Sequence, residues 1–208
     1  MKIKVCGIKS SEAGLEAAKA GADAIGFVFA ESKRRISIET AREISMALPQ
    51  HVKKVGVFVN EELAVINRCI REANLDFVQL HGDEAPEFCS KVNIPVIKSF
   101  SIRKKEDLIQ LSAYQVDYYL LDSPAGKYRG GNGTSFDWSL LSEFSKSGRN
   151  IILAGGLSIQ NVMEAIGIVK PEMIDVSSGV ESDGEKDPVK MQIFIELAKE
   201  AFNQLEGN

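Results

Sequence analysis

Cysteine and histidine, from which many metal sites and disulfide frameworks are built, are scarce in this sequence. Its 208 residues include three cysteines, with no Cys-x-x-Cys pair, and two histidines. These numbers argue against a disulfide scaffold, a zinc site and a histidine metal cluster.

Long apolar runs and blocks of a single charge are also missing. Apolar runs such as residues 25–30 are too short to span a bilayer, and residues 1–4 lack the features of a signal peptide. The 25 basic and 29 acidic residues are mixed along the chain, so no basic patch indicates nucleic-acid binding. With 44% hydrophobic residues, the composition predicts one folded, cytoplasmic domain over residues 1–208.

Short β-rich runs alternate with helical patterns along the whole chain. The predicted strands are Ile3–Cys6, Ala24–Phe29, Lys54–Val59, Phe77–His81, Pro95–Ser99, Asp117–Leu121, Ile151–Ala154 and Met173–Val176. Several are almost continuously Val, Ile, Leu and Phe, as in a parallel sheet that is covered on both faces. Eight such units predict an α/β fold, a single (β/α)8 TIM barrel. The alternative is an open doubly wound sheet, although no dinucleotide-binding or phosphate-loop glycine motif is present.

Three helix starts can be predicted from capping residues. Ser37 is predicted to cap the second helix, which Pro49 ends. Ser158 is predicted to begin the seventh helix, and Asp187-Pro188 to begin the last one as cap and first-turn proline.

Polar residues are concentrated where the predicted strands end. These positions are Cys6, Lys33-Arg34-Arg35, Asn60, His81, Lys98-Ser99, Asp122, Gly155-Gly156 and Ser177-Ser178-Gly179. In a (β/α)8 barrel the ligand binds at the carboxyl ends of the strands. The contrast with the apolar strands therefore predicts an active site there.

The glycine turns after the last two strands predict a phosphate site. Gly155-Gly156 and Ser178-Gly179 would let backbone amides approach an anion, in the loops that commonly bind phosphate in these barrels. They would also be consistent with tight connections alone. The loops at residues 60–62 and 82–84 are acidic, so we expect a ligand with a single phosphate.

Cys6 differs from the other two cysteines because it closes a strand. A free thiol has a pKa of ~8.5 and needs a nearby positive charge or dipole to act as a base at neutral pH. A catalytic and a buried structural role are both open. Cys69 and Cys89 lie on apolar helix faces and are predicted to be core residues.

Asp122 shares a strand face with Leu120, which points either into the barrel or toward the helices. A carboxyl at an apolar strand end could stay partly protonated and serve as a general acid, or it could cap the next loop. That loop, residues 123–135, is long and contains Gly130, Gly131 and Gly133, as expected of a mobile cover over the substrate.

The side chains of Arg34 and His81 each allow two interpretations. Arg34 could hold a carboxylate bidentately, although a solvated basic turn would explain at least one of Arg34 and Arg35. His81 could point into the mouth of the barrel or be a hydrogen-bonded structural residue.

Motifs spread over nearly the whole chain resemble phosphoribosylanthranilate isomerase. They are KVCGI at 4–8, GADAIGFVF at 21–29, SKR at 32–34, VGVFVN at 55–60, VQLHG at 78–82, LLD at 120–122, GGNG at 130–133, FDW at 136–138, LAGGL at 153–157 and DVSSGVE at 175–181. This family has the (β/α)8 fold, which agrees with the strand count.

The resemblance implies an Amadori rearrangement of N-(5-phosphoribosyl)anthranilate in tryptophan biosynthesis, without metal or cofactor. The general base of the family corresponds to Cys6 and its general acid to Asp122. Arg34 matches the arginine that faces the anthranilate carboxylate. The phosphate-binding residues of the family match Gly156, with Gly155 beside it, and the Ser178-Gly179 turn. His81 and Asp175 match pocket residues to which no role is assigned. The expected partner is this small phosphorylated aminoaldose, and the expected state is a monomer or homodimer.

Two alternative functions remain. The first is a related barrel. The histidine-pathway isomerase would be expected to have an aspartate at the end of the first strand and two phosphate sites, and a pentose-phosphate epimerase would be expected to have a metal cluster. A non-catalytic barrel that binds a phosphosugar would have no use for an acid and a base.

Overall fold

A computed structural model describes residues 2–122, 138, 141 and 148–207, and in it eight parallel strands form a closed barrel in sequence order. The strands are β1 (Ile3–Cys6), β2 (Ala24–Val28), β3 (Lys53–Phe58), β4 (Phe77–Leu80), β5 (Val96–Ser101), β6 (Tyr118–Asp122), β7 (Ile151–Ala154) and β8 (Met173–Val176). Because β1 pairs with both β2 and β8, the sheet has no open edge. The predicted (β/α)8 barrel is confirmed, and the open doubly wound sheet is wrong.

Helices cover the outside of the barrel. The described α-helices are Ser11–Ala20, Ile38–Ala47, Leu63–Glu72, Pro86–Cys89, Val162–Val169 and Pro188–Glu206, with 3-10 turns at Lys105–Ala113 and Ser178–Val180. Within the described part of the chain, no helix has both the length and the apolar character needed to cross a membrane.

Two of the three predicted helix starts are correct. Ser37 accepts a hydrogen bond from the amide of Thr40, and Asp187 accepts from two amides of the last helix. Ser158 is not a cap, because the seventh-unit helix begins only at Val162. The amide of Ser158 instead donates to the side chain of Asn161 over 2.8 Å, which closes a separate turn before the helix.

The alternation along the strands separates a core under the helices from a plug inside the barrel. The plug consists mainly of small and branched side chains: Ala24, Val55, Ile97, Leu120, Ile152, Ala154 and Met173. Fully burying one Val, Leu or Ile side chain stabilises a fold by ~1.5–3 kcal/mol. The plug fills the barrel below the carboxyl ends of the strands, where Ala154 also borders the cavity described below.

A short hairpin follows β8 and folds over that end of the barrel. Its strands are β9 (Glu181–Ser182) and β10 (Glu185–Lys186), and Glu181 pairs directly with Lys186. The turn between them is Asp183-Gly184, and both residues have a positive φ, of 53° and 83°. Asp-Gly tolerates this backbone, which matches the twist of a two-residue hairpin. The hairpin thereby places one carboxylate and one ammonium beside the strand ends.

Candidate active site

A cavity of about 460 Å³ lies at the carboxyl ends of the strands. The predicted site residues that line it are Cys6, Arg34, His81, Asp122, Gly155, Gly156, Asp175 and Ser178. They are far apart in the sequence and come together because all eight strand ends meet at one face. A cavity of this volume suits a small organic molecule.

The thiol of Cys6 points into this cavity from the end of β1. Cys6 is only 8% exposed, and Ser177 Oγ donates a hydrogen bond to its carbonyl over 3.1 Å. Burial raises the pKa of the thiol above its ordinary value, while the ammonium groups of Lys4 and Lys186 act in the opposite direction. Two lysines thus place positive charge beside the thiol, and the carboxylate of Asp175 opposes their effect on its pKa.

Lys4 lies on the same face of β1, one alternation before Cys6. Its side chain is fully buried inside the barrel, and Nζ donates to Asp175 Oδ1 over 2.9 Å. A methyl group on Gly26 of the neighbouring strand would lie 2.7 Å from Cys6 Sγ and 3.1 Å from Lys4 Nζ. Gly26 thus leaves room for the thiol and the ammonium to approach each other.

Asp122 also points into the barrel, on the same side as Leu120, and lines the cavity. Its side chain is 33% exposed, and Oδ2 lies 3.4 Å from His81 Nε2. These surroundings are more open and more polar than the apolar strand end that the sequence predicted. Gln79 Nε2 lies 3.1 Å from His81 Nδ1, so the Gln79 side chain helps to hold the imidazole beside Asp122.

Arg34 reaches the cavity from the loop after β2. Its Nε and Nη2 each donate to a carboxylate oxygen of Glu181 over 2.7 Å, and Lys186 donates to the same carboxylate over 2.6 Å. Burial alone would raise the pKa of Glu181, but these two cations lower it to about 2. Only two of the five N–H donors of the guanidinium are used by this pair, which leaves others for a second carboxylate.

Comparison with known proteins identifies the family. A family model described as N-(5'phosphoribosyl)anthranilate (PRA) isomerase matches residues 3–197. An N-(5'-phosphoribosyl)anthranilate isomerase from Bacillus cereus (strain G9842) is 51% identical over 201 residues, which cover 96% of this chain and 98% of the relative. This chain belongs to the N-(5'-phosphoribosyl)anthranilate isomerase family.

Solved structures of phosphoribosylanthranilate isomerases share the fold. The enzyme from Thermotoga maritima has a TM-score of 0.89 and 44% identity, over 96% of this chain and 99% of that one. Another, in complex with reduced 1-(o-carboxyphenylamino)-1-deoxyribulose 5-phosphate, has a TM-score of 0.87 and 42% identity, with the same coverage. The fold and the family expected from the motifs are thus confirmed.

In this member of the phosphoribosylanthranilate isomerase family, two glycine turns form one wall of the cavity. Gly155 and Gly156 have φ values of 85° and 62°, a left-handed backbone that favours glycine. A side chain on Gly179 would lie 1.9 Å from the carbonyl oxygen of Leu157, so glycine is required where the two turns touch. Gly155, Gly156 and Ser178 line the cavity, whereas Gly179 is not among its described lining residues and supports the wall through Leu157.

On the opposite side of the barrel, the amides of the acidic loops are occupied by the protein itself. The carboxylate of Glu84 accepts hydrogen bonds from the amides of Asn60 and Gly82, and it lies 3.2 Å from the buried ammonium of Lys98. These two amides are therefore already bound to an internal carboxylate and do not offer an anion site. This geometry agrees with the expectation of a single phosphate.

Several residues that the sequence singles out fall elsewhere. Cys69 and Cys89 are buried in the core, as predicted. The predicted cover glycines Gly130, Gly131 and Gly133 lie outside the described residues. Within the described ranges, no group of three or more His, Cys, Asp or Glu side chains is arranged to hold a metal ion.

Sequence reasoning missed Lys4, Glu181 and Lys186. The signal for Lys4 was present, since it is a charged residue inside an apolar strand and two positions before Cys6. Glu181 and Lys186 could have been connected through Asp183-Gly184, a pair typical of a tight hairpin.

Proposed function

We propose that this protein catalyses the Amadori rearrangement of N-(5-phosphoribosyl)anthranilate to 1-(2-carboxyphenylamino)-1-deoxyribulose 5-phosphate, the third step from chorismate in tryptophan biosynthesis. The observation that carries the proposal is the presence of the Cys6 thiol and the Asp122 carboxyl in one cavity. Family membership supports it, as does the relative that binds a reduced form of the product named here.

Asp122 acts first, as the general acid. It donates its proton to the ring oxygen of the aminoaldose while the bond between that oxygen and carbon 1 breaks. The lone pair of the anthranilate nitrogen forms a double bond to carbon 1, which gives a cationic Schiff base. His81, whose Nε2 lies 3.4 Å from Asp122 Oδ2, orients the carboxyl group.

Cys6 acts second, as the general base. Its thiolate removes the proton from carbon 2, and the electron pair of that bond moves into the Schiff base to form the enolamine. The enol hydroxyl then loses a proton, carbon 1 gains one, and a ketone forms at carbon 2. The overall reaction is an isomerisation that needs no external oxidant or reductant, and a well-placed acid or base typically contributes ~10²–10⁴-fold.

The two charged ends of the substrate bind at opposite sides of the reacting carbons. Arg34 binds the anthranilate carboxylate through the donors that Glu181 does not use. The backbone of Gly155, Gly156 and Ser178 binds the phosphate, and Gly179 allows the two loops to meet. Holding both ends fixes carbon 2 near the thiol, which is the main advantage of such positioning.

Three further features belong to the proposal. Residues 1–208 act as a single domain, no metal or cofactor takes part, and the loop that contains Gly130, Gly131 and Gly133 covers the bound substrate. The enzyme works in the cytoplasm, where a reducing environment keeps Cys6 as a free thiol.

The test is turnover of freshly prepared phosphoribosylanthranilate, followed by loss of its fluorescence. Cys6→Ala and Asp122→Asn should each lower kcat by at least ~10²-fold while both variants stay folded. Cys69→Ala, which removes a buried thiol far from the cavity, is the matched control and should retain turnover. Near-normal kcat in both site variants would contradict the assigned roles.

A further inference from the structure

The barrel interior contains a charged pair that the proposed mechanism does not use. Lys4 and Asp175 face each other from β1 and β8 at 2.9 Å, with side chains that are 0% and 9% exposed. Removing two such charges from water is costly, and replacement by apolar residues is often neutral or stabilising. Stability alone therefore does not explain why an ion pair occupies this position.

The position of the ammonium relative to the thiol suggests a purpose. Lys4 and Cys6 are two residues apart on one strand, so both side chains point into the barrel. Cys6 Sγ and Lys4 Nζ lie 2.7 Å and 3.1 Å from the point where a methyl group on Gly26 would be, so the sulfur and the ammonium are neighbours above that glycine. An adjacent ammonium is one of the arrangements that stabilise a cysteine thiolate.

Charged groups surround the thiol on several sides. The three cations Lys4, Arg34 and Lys186 and the two anions Asp175 and Glu181 approach it from β1, β8, the hairpin and the loop after β2. Asp122 and His81 face this group across the cavity. Burial raises the pKa of the thiol and Asp175 adds to this effect, whereas Lys4 and Lys186 lower it, so the lysines are the groups that favour the thiolate.

Lys186 is less suited than Lys4 to act on the thiol directly. Its ammonium donates to Glu181 over 2.6 Å and to the carbonyl of Ser177 over 2.9 Å. Burial lowers the pKa of Lys186, whereas for Lys4 the effect of burial is outweighed by Asp175 and Cys6, and the pKa is raised. Lys4 thus keeps its charge beside the sulfur.

We propose that Lys4 is a positioning residue for the catalytic base: anchored by Asp175, its ammonium donates a hydrogen bond to Cys6 Sγ and stabilises the thiolate. This inference rests on the role of Cys6 in the proposed function. It assigns to Asp175 the task of fixing the Lys4 ammonium, rather than contact with the substrate.

The test measures the thiol without substrate. The rate at which iodoacetamide alkylates Cys6 is followed by peptide mass spectrometry as a function of pH, in wild type and Lys4→Met. The midpoint of this profile should rise by about one pH unit or more in the variant, so that alkylation near neutrality slows ~10-fold. The matched control is Lys54→Met, which removes a buried lysine paired with Asp76 at 2.8 Å outside the barrel interior. It should leave the Cys6 profile unchanged.

An unchanged alkylation profile in folded Lys4→Met would overturn the proposal, because a merely structural lysine would affect stability and not the thiol. Should this variant fail to fold, the double variant K4M/D175N leaves no orphaned charge and is measured in its place. Nitrogen NMR of wild type needs no variant: the Lys4 ammonium signal must respond when Cys6 loses its proton, and the absence of a response would also overturn the proposal.

The same proteins assayed with phosphoribosylanthranilate separate the two claims. A shifted alkylation profile together with inactive wild type would retain the Lys4–Cys6 coupling and contradict the proposed function. Normal turnover in wild type together with an unshifted alkylation profile in Lys4→Met would support the proposed function and contradict the Lys4–Cys6 coupling.

Discussion

Arg34 and Glu181 are joined by two parallel hydrogen bonds of 2.7 Å that connect the loop after β2 with the hairpin after β8. Close contact of Arg34 Cδ with Gly7 further restricts the arginine, since a side chain on Gly7 would lie 2.4 Å from that atom. The guanidinium is therefore fixed before any ligand arrives. A preorganised group loses less entropy on binding, which favours affinity for the substrate carboxylate.

Glu181→Gln should weaken substrate binding more than it slows the chemical step. An amide NH2 cannot accept from the guanidinium, so the parallel pair is lost and Arg34 is free to rotate. We expect KM for phosphoribosylanthranilate to rise ~5–10-fold with a smaller change in kcat, measured by steady-state kinetics. The exposed Glu62→Gln is a control that should leave KM unchanged. A fall in kcat at constant KM would show that Glu181 acts on the reacting groups instead.

Acid should destabilise the wild type partly through Glu181. Its pKa falls from 4.5 to about 2 on folding because Arg34 and Lys186 surround the carboxylate. Because the pKa is lowered on folding, the charged carboxylate contributes to the free energy of unfolding. This contribution is complete above pH 4.5 and is lost as the pH falls toward 2. Urea unfolding in that interval should therefore show a steeper loss of stability in wild type than in Glu181→Gln. Parallel pH curves for the two proteins would contradict the ion pair.

Gly26→Ala should impair catalysis without removing any functional group. The added methyl would lie 2.7 Å from Cys6 Sγ and 3.0 Å from Cys6 Cα, so the thiol must move. Displacing a reacting group by about 1 Å can cost ~10²-fold, and we expect a loss of kcat of that order. Gly167→Ala is the matched control, because nothing lies within 4 Å of its added methyl and it sits inside a helix. That control should keep its activity and gain ~0.5–1 kcal/mol of stability.

Glu84→Ala should be strongly destabilising although Glu84 lies outside the reaction. The change leaves the amides of Asn60 and Gly82 without their acceptor and the buried ammonium of Lys98 without its counter-ion. Breaking a buried pair on one side typically costs ~3–5 kcal/mol. Urea denaturation measures the loss, and exposed Glu87→Ala serves as the control. If Glu84→Ala lost no more unfolding free energy than the Glu87→Ala control, water would have to satisfy the two amides and Lys98 in place of the carboxylate.

The strands and the positions of Cys6 and Asp122 could be predicted because they depend on local patterns. Short apolar runs define each strand, and a polar residue that ends such a run marks the mouth of a barrel. Even the orientation of Asp122 followed from alternation once Leu120 was known to face the interior. Short-range sequence order is sufficient for these features.

The partners of these residues could not be predicted in the same way. Lys4 meets Asp175 from a distance of 171 positions, and Arg34 meets Glu181 from 147. Such pairs exist only through the register between β1 and β8 and through the fold of the hairpin, which no local pattern specifies. The prediction that Ser158 begins a helix was wrong although its local sequence favours a cap. The Ser158 amide instead donates to Asn161, and this hydrogen bond closes a separate turn before the helix.

The pairing of β1 with β8 has a kinetic consequence. The thiol and its lysine lie on β1, Asp175 lies on β8, and Ser177 and Glu181 follow β8, so this part of the site lies across the seam where the ring closes. Helices and individual strand pairs can form during refolding without producing any of this arrangement. Recovery of activity should accordingly lag behind recovery of helical circular dichroism and coincide with the final docking of the chain ends.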